Sequence, residues 1–133
     1  MTLVFDSSAL IAYLHNEPGA DLVDSLLLDV DNACFAHAVN LCEVFYDARR
    51  YAGEENAHAA MIVLRKAGVI FREDMDADLW QGAARIKADL RRVSLADCFC
   101  TALAQRIDAE IITADHEFDP VAEKQLCKVR FIR

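Results

Sequence analysis

Four acidic residues of this chain lie inside, or directly after, runs of apolar residues, where carboxylates are least expected. They are Asp6 in TLVFDSSALIAYL, Glu43 in AVNLCEVFYDA, Asp97 in VSLADCFCTALA and Asp115 in EIITADHEF. A carboxylate at the edge of a core loses its hydration, which costs free energy unless a cation compensates the charge. No Arg or Lys adjoins Asp6, Glu43 or Asp97 in the sequence. We therefore expect a bound metal ion as the countercharge.

Length and composition predict one compact domain spanning residues 1–133. The chain has 133 residues and 55% of them are apolar, which is enough to build a single core. Every stretch of about 18 residues contains charge, and no basic residue precedes the N-terminal apolar segment, so neither a membrane span nor a signal peptide is indicated. We therefore expect a cytoplasmic protein.

Cysteines and histidines give little indication of a soft-metal site. The chain has five cysteines and no C-x-x-C motif, and we interpret these cysteines as reduced core thiols: Cys34, Cys42, Cys98, Cys100 and Cys127. His37 lies in an apolar stretch typical of a hydrogen-bonded core histidine, whereas His116, beside Asp115, is a candidate for substrate contact.

Basic residues are concentrated beside the acids although the net charge is −8. That charge argues against non-specific binding of nucleic acid through the overall field. Locally, however, Arg49 and Arg50 follow Glu43, and four basic residues precede Asp97: Arg85, Lys87, Arg91 and Arg92. Cations are also common at solvated helix ends, where they interact favourably with the helix dipole. Their position beside the acids favours phosphate contacts, above all by Arg91 and Arg92.

Short apolar strands alternate with amphipathic helical segments along the chain. The predicted strands are Leu3–Phe5, Ala33–Ala36, Val69–Phe71, Glu110–Thr113 and Lys128–Ile132. The predicted helices are Ser8–His15, Leu22–Val30, Ala38–Tyr51, Ala57–Leu64, Leu79–Leu90 and Ser94–Gln105. This alternation predicts an α/β fold with right-handed crossovers: a three-layer α/β/α sandwich around a central, mainly parallel sheet.

The four acids can converge at one edge of such a sheet. Ligands of parallel sheets bind at the carboxyl ends of the strands. Asp6 and Asp115 each directly follow a predicted strand, while Glu43 and Asp97 lie near the beginnings of helices that start at this edge. The sequence therefore predicts a single acidic site.

Each acid also has an ordinary structural interpretation. Asp6 could cap the first helix, Ser94-Leu95-Ala96-Asp97 fits a capping box, and Asp115 could be a turn residue. A cap does not explain Glu43, because it lies about a turn inside its helix, with Asn40 three residues earlier on the same face.

Taken together, these motifs resemble the PIN-domain nucleases, particularly the toxins of VapBC-type toxin–antitoxin modules. The resemblance covers essentially the whole chain. Its motifs are Asp6 with Ser7-Ser8, Asn40-x-x-Glu43, Ser94-Leu95-Ala96-Asp97 and Thr113-Ala114-Asp115-x-x-Phe118.

The resemblance implies a Mg²⁺- or Mn²⁺-dependent endoribonuclease that is inhibited by a small antitoxin. Oxygen ligands suit both ions. We expect Asp6, Asp97 and Asp115 to be the principal ligands, and Glu43 to bind through water or to orient the attacking water. Asn40 and Thr113 are expected to form hydrogen bonds around these acids.

Two protein partners are also implied. The antitoxin is expected to lay an apolar helix along the domain and to insert an Arg or Lys among the four acids. A homodimer is expected, with apolar surface contributed by Phe45, Tyr46, Met61 and Leu64.

Three other classes fit less well or remain open. A phosphotransfer receiver domain needs an adjacent acidic pair after the first strand and a lysine after a late strand, and neither is present. A haloacid-dehalogenase-like phosphatase needs a second Asp where Ser8 stands. The open alternative is a catalytically silent PIN-like module that binds RNA or protein.

Overall fold

The computed structural model describes residues 1–133, in which one five-stranded sheet is flanked by helices. The strands are β1 (Thr2–Phe5), β2 (Ala33–His37), β3 (Val69–Arg72), β4 (Glu110–Thr113) and β5 (Val129–Phe131). The helices are α1 (Ser7–His15), α2 (Ala20–Leu28), α3 (Ala38–Ala52), α4 (Glu54–Lys66), α5 (Ala77–Asp89), α6 (Leu95–Ile107) and α7 (Asp119–Glu123). A 3₁₀ turn covers His116–Phe118.

All strands of the sheet are parallel, in the order β3-β2-β1-β4-β5. The predicted fold class is therefore confirmed. The chain first builds the sheet from β1 outward through β2 and β3, then returns to the other side of β1 with β4 and β5. The point where the order reverses lies between β1 and β4, and such switch points open a crevice at the carboxyl ends of the strands.

Two apolar layers cover the two faces of the sheet. Alternate side chains of β1 point to opposite faces, so Leu3 and Phe5 pack with α1 to α4 while Val4 packs with α5, α6 and α7. All three side chains are fully buried. Burial of a side chain of this size contributes about 1.5–3 kcal/mol, so these two layers hold β1, and the residue that follows it, rigidly.

Several local predictions were wrong. Helix α2 ends at Leu28 because the backbone N–H of Asp31 donates to the Asp29 carboxylate (3.0 Å) in a tight turn; Val30 therefore lies outside the helix and is 95% exposed. Cys42 is exposed on α3 rather than in the core. The predicted helices and strands otherwise appear within a few residues of their expected bounds.

The turn and helix after β4 were not predicted. Pro120 lies in the first turn of α7, where its missing N–H is not needed, and the fully buried Phe118 and Val121 anchor this segment in the core. None of the helices is long and apolar enough to cross a lipid bilayer.

Candidate active site

Asp6 is buried at the junction of β1 and β4, with only 1% of its surface exposed. Its carboxylate caps α1 by accepting a hydrogen bond from the backbone N–H of Ala9 (2.9 Å). It also accepts hydrogen bonds from Ser8 Oγ (2.8 Å) and Thr113 Oγ1 (2.7 Å). The capping interpretation is therefore correct but incomplete, because the same carboxylate lies at the carboxyl edge of the two central strands.

The two hydroxyls that bind Asp6 also hold the loop after β4. The backbone N–H of Ala114 donates to Ser8 Oγ (2.9 Å), and that of Asp115 donates to Thr113 Oγ1 (2.9 Å). Each hydroxyl therefore accepts one hydrogen bond and donates another to Asp6. This arrangement fixes Asp115 relative to Asp6. Ser8 belongs to the motif that begins at Asp6, but the sequence did not predict that it links Asp6 to Ala114.

Glu43 is half-buried on α3 and accepts a hydrogen bond from Ser7 Oγ (2.9 Å). This bond joins the second turn of α3 to the first residue of α1. The start of α3 is held by the fully buried His37, whose Nδ1 accepts from the Val39 N–H (3.1 Å) and whose Nε2 donates to the Asp74 carbonyl (2.8 Å). Glu43 is thus positioned by two rigid helix starts.

Asp97 lies in the first turn of α6, and it is 4% exposed. Its backbone N–H donates to Ser94 Oγ (3.2 Å), so Ser94 is the helix cap. Thr101 Oγ1 donates to the Asp97 carbonyl (2.8 Å). On the neighbouring helix α3, Asn40 Nδ2 donates to the Ala96 carbonyl (3.3 Å), which links the helix of Glu43 to the helix of Asp97.

A third acid, which sequence reasoning missed, completes a cluster with the right spacing for a metal ion. Carboxylate oxygens of Asp97, Asp115 and Glu117 lie within 4.8 Å of one another. The Glu117 backbone N–H donates to Asp115 Oδ1 (2.9 Å) in the 3₁₀ turn, which brings the two acids together. The sequence signal that could have identified Glu117 is its position two residues after Asp115, just beyond a predicted strand. Because all three ligand atoms are carboxylate oxygens, the cluster suits Mg²⁺ or Mn²⁺. Asp6 and Glu43 lie outside this group.

Burial and mutual repulsion change the acidity of the site. Desolvation, followed by the charges of Asp6 and Asp115, raises the pKa of Asp97 to about 8. Desolvation also raises the pKa of Asp6 to about 6, although hydrogen bonds from Ala9, Thr113 and Ser8 oppose the increase. At neutral pH and without a cation, Asp97 therefore retains its proton.

The predicted basic cluster separates into engaged and free side chains. Lys87 Nζ donates to the Arg91 and Val93 carbonyls (2.9 and 2.8 Å), so it closes the end of α5. Arg49 pairs with Glu54 (2.9 Å), and Arg50 stacks on Tyr46. Arg91 and Arg92 lie exposed in the turn between α5 and α6, a few residues before Asp97, and neither forms an ion pair.

His116 packs against the end of the sheet. Its ring stacks on Phe131 with 4.2 Å between centroids, and its Nε2 lies 3.0 Å from the Arg133 carbonyl oxygen. These contacts brace the turn that carries Asp115 and Glu117, so the ring has a structural role.

We expect the metal-free protein to lose stability as the pH rises from about 4 to about 8. The pKa of Asp97 is about 8 in the folded protein against an ordinary value of 3.8. In this range the unfolded chain has released a proton that the folded protein still binds, so rising pH favours unfolding. Asp97→Asn should flatten this dependence and raise Tm at pH 8. Thermal unfolding in chelator from pH 5 to 8 measures both.

The exposed Asp24 on α2 provides a matched control, since Asp24→Asn removes the same charge away from the site. Its pH profile should follow that of the wild type. Parallel profiles for Asp97→Asn and the wild type would contradict the proton-binding role of Asp97.

The family model described as the PIN domain matches residues 3–124. No curated protein sequence matches the chain.

Solved structures share the fold at low sequence identity. A chain of VapBC2 from Rickettsia felis, bound to a DNA fragment from its promoter, has a TM-score of 0.75 at 11% identity and covers 98% of each chain. A chain of DNA-bound VapBC from Salmonella typhimurium has a TM-score of 0.73 at 14% identity, covering 100% of this chain and 99% of that one. VapC20 from Mycobacterium tuberculosis, a sarcin–ricin loop cleaving toxin, has a TM-score of 0.71 at 19% identity, with 90% and 94% covered. Since the family match extends from β1 to the end of α7, this chain belongs to the PIN domain family.

Proposed function

We propose that this protein is a Mg²⁺- or Mn²⁺-dependent endoribonuclease, and that it is the toxin of a VapBC-type toxin–antitoxin module. The observation that carries the proposal is the carboxylate cluster at the switch point of a PIN domain, with oxygens of Asp97, Asp115 and Glu117 within 4.8 Å. Residues 1–133 form the nuclease domain in this proposal, and the protein acts in the cytoplasm. RNA is favoured as substrate because VapC20, of similar fold, is a sarcin–ricin loop cleaving toxin.

Asp97, Asp115 and Glu117 would hold the ion, with Asp6 beside them. A bound Mg²⁺ or Mn²⁺ supplies a Lewis acid that lowers the pKa of water and neutralises charge on the phosphate. The chain contributes the rigid placement of its carboxylates. Ser8 and Thr113 prevent Asp6 from rotating, because each is also held by a backbone N–H.

Glu43 is assigned to the attacking water. It is half-buried on α3, whereas Asp6 and Asp97 are buried, and its Oε1 accepts a hydrogen bond from Ser7 Oγ (2.9 Å). A carboxylate in this position can accept a hydrogen bond from water and orient it towards phosphorus. The water oxygen forms a bond to phosphorus and gives up a proton to Glu43, the bond from phosphorus to the 3′ oxygen breaks, and that oxygen takes up a proton from the solvent. The products are a 5′-phosphate and a 3′-hydroxyl.

Purified protein is expected to cleave single-stranded or loop RNA only with Mg²⁺ or Mn²⁺. Isosteric amides at the assigned acids (Asp6→Asn, Glu43→Gln, Asp97→Asn, Asp115→Asn and Glu117→Gln) should reduce kcat by about 100-fold or more, since each removes a ligand or a proton acceptor. Gel analysis of a labelled RNA measures the rate, and Asp24→Asn is the matched control.

Two results would overturn this assignment. Cleavage that persists in excess chelator would exclude the metal-dependent mechanism. Wild-type rates in two or more of the amide variants would exclude the assigned site. RNA binding without any cleavage, at every metal concentration, would instead favour the catalytically silent module.

Arg91 and Arg92 are proposed to hold substrate phosphates on the approach to Asp97. Both are exposed and lack an acidic partner, whereas nearby Lys87 is engaged with backbone carbonyls. Each phosphate contact releases about one counterion, so the slope of log K against log salt reports the number of contacts.

Replacing Arg91 and Arg92 together by Gln should weaken RNA binding and reduce that slope by about one to two. Fluorescence anisotropy at several salt concentrations measures the slope. The control is the double variant Lys124→Gln and Lys128→Gln. It removes the same charge in the connection between α7 and β5. An unchanged slope would show that neither arginine contacts a phosphate and that both are solvated residues at a helix end.

A basic antitoxin is the proposed protein partner. Structural neighbours include VapBC complexes from Rickettsia felis and Salmonella typhimurium, and the acids of this site have no internal cation. An Arg or Lys from the partner would supply that charge. A cavity of about 730 Å³ between α1, α2, α3 and α4 offers an apolar wall with an acidic rim for the rest of the segment: Leu14, Tyr51 and Val63, with Asp21, Asp24 and Asp47.

A homodimer is also proposed, although its predicted surface changes. Leu64 is fully buried in the core, so it cannot contribute to an interface, while Tyr46 is 43% exposed and Ile62 is 53% exposed on α3 and α4. Phe45 and Met61 are half-buried and line a shallow cavity of about 510 Å³ between these helices.

Light scattering after size exclusion should give twice the chain mass for the protein alone and a larger mass with its copurifying partner. A monomer at micromolar concentration would refute the homodimer.

Mg²⁺ should weaken partner binding, because ion and partner compete for the same carboxylates. A partner that binds the variant with amides at Asp6, Glu43, Asp97 and Asp115 as tightly as the wild type would refute the inserted cation.

A further inference from the structure

One buried polar atom of this chain has no hydrogen-bond partner, and it lies beside the acidic site. It is Oδ1 of Asn40, a residue with 0% of its surface exposed. All other buried side-chain nitrogen and oxygen atoms are paired. Because an unpaired buried acceptor costs free energy, native proteins retain one where it has a function or where a ligand supplies the donor.

The orientation of the Asn40 amide is fixed by its other hydrogen bond. Nδ2 donates to the Ala96 carbonyl at 3.3 Å. A carbonyl oxygen can only accept, so rotating the amide by 180° would place two acceptors against each other. Oδ1 is therefore the atom that lacks a donor.

Asn40 lies between the two helices that carry Glu43 and Asp97. It is three residues before Glu43 on α3, so both side chains lie on the same face of that helix. Its amide contacts the carbonyl of the residue that precedes Asp97. Asn40 thus lies where the helix of Glu43 meets the helix of Asp97.

Four hydroxyls around the site acids already donate to other acceptors. Ser7 donates to Glu43, Ser8 and Thr113 donate to Asp6, and Thr101 donates to the Asp97 carbonyl. A bound water can supply the missing donor. Mg²⁺ and Mn²⁺ sites that use few carboxylates keep several bound waters, and such waters are hydrogen-bond donors.

We propose that Asn40 is a positioning residue whose Oδ1 accepts a hydrogen bond from a water that enters the site with the divalent cation. This inference rests on the proposed metal-dependent function. A neutral carbonyl suits the role, since it orients water without adding a negative charge beside carboxylates that already repel one another. A carboxylate at this position would increase the repulsion among Glu43, Asp97 and Asp115.

Three variants separate this role from a structural one. Asn40→Leu removes the acceptor and should weaken Mn²⁺ binding by about tenfold, as outer hydrogen-bond partners of metal sites do. Asn40→Asp keeps an acceptor but loses the donor to Ala96, so it should lower Tm while binding Mn²⁺ at least as tightly as the wild type. Asn56→Leu is the matched control, because Asn56 Nδ2 donates to the Ala48 carbonyl (2.8 Å) away from the site.

Calorimetric titration with Mn²⁺ gives the affinities, and thermal unfolding in chelator gives the metal-free stability. Wild-type affinity in Asn40→Leu would overturn the proposal. If that variant does not fold, an affinity of Asn40→Asp below that of the wild type would overturn it instead. Asn56→Leu should bind Mn²⁺ like the wild type.

These outcomes are distinguishable from failure of the proposed function. If the wild type binds no Mn²⁺ or Mg²⁺ and cleaves no RNA, the metal-dependent nuclease is refuted. If the wild type binds Mn²⁺ and the affinity of Asn40→Leu is unchanged, only the role of Asn40 is refuted.

Discussion

The burial of one carboxylate between β1 and β4 determines much of the surrounding structure. Asp6 is removed from water without an adjacent cation, so its oxygens must be satisfied by neutral donors. Ala9, Ser8 and Thr113 provide them. Because the two hydroxyls in turn accept from the loop after β4, the bonds that make a buried charge tolerable also place Asp115. The hydrogen bonds that replace the hydration of Asp6 therefore also set the position of the loop that carries Asp115.

The distribution of cations reinforces this design. Five arginines are paired with acids outside the site: Arg49 with Glu54, Arg72 and Arg106 with Asp74, Arg106 with Asp76, Arg130 with Glu110, and Arg133 with Glu17. The guanidinium of Arg72 holds the pKa of Asp74 well below its usual range, and Arg106 lowers that of Asp76 to about 2. Such surface pairs add little stability individually. None of these pairs involves a site acid, so Asp6, Asp97 and Asp115 receive no cation from the chain itself.

The sequence predicted the sheet and the buried acids because both depend on strong local contrasts. A short apolar run bounded by turns is a reliable strand signal, and an acid such as Asp6 or Asp97 is conspicuous inside one. Glu117 gave no such contrast, since it lies in a polar segment and reaches the site only through a 3₁₀ turn. Leu64 was misjudged because periodicity identifies an apolar stripe but not which neighbour covers it. Partner choices for hydroxyls, such as that of Ser8, depend on contacts across more than 100 residues.

Because the pKa of Asp97 is raised to about 8, its carboxyl group binds a proton at neutral pH when no cation is present. A cation that enters near neutral pH must displace the proton from this oxygen, so uptake of the ion and release of hydrogen ions are one exchange reaction. Acidification then acts as a competitor, and the apparent affinity for the ion declines as the pH falls below about 8. The same exchange makes the measured heat of ion binding depend on the ionisation enthalpy of the buffer. A drop in cellular pH would thereby weaken ion binding without any change in the concentration of the ion.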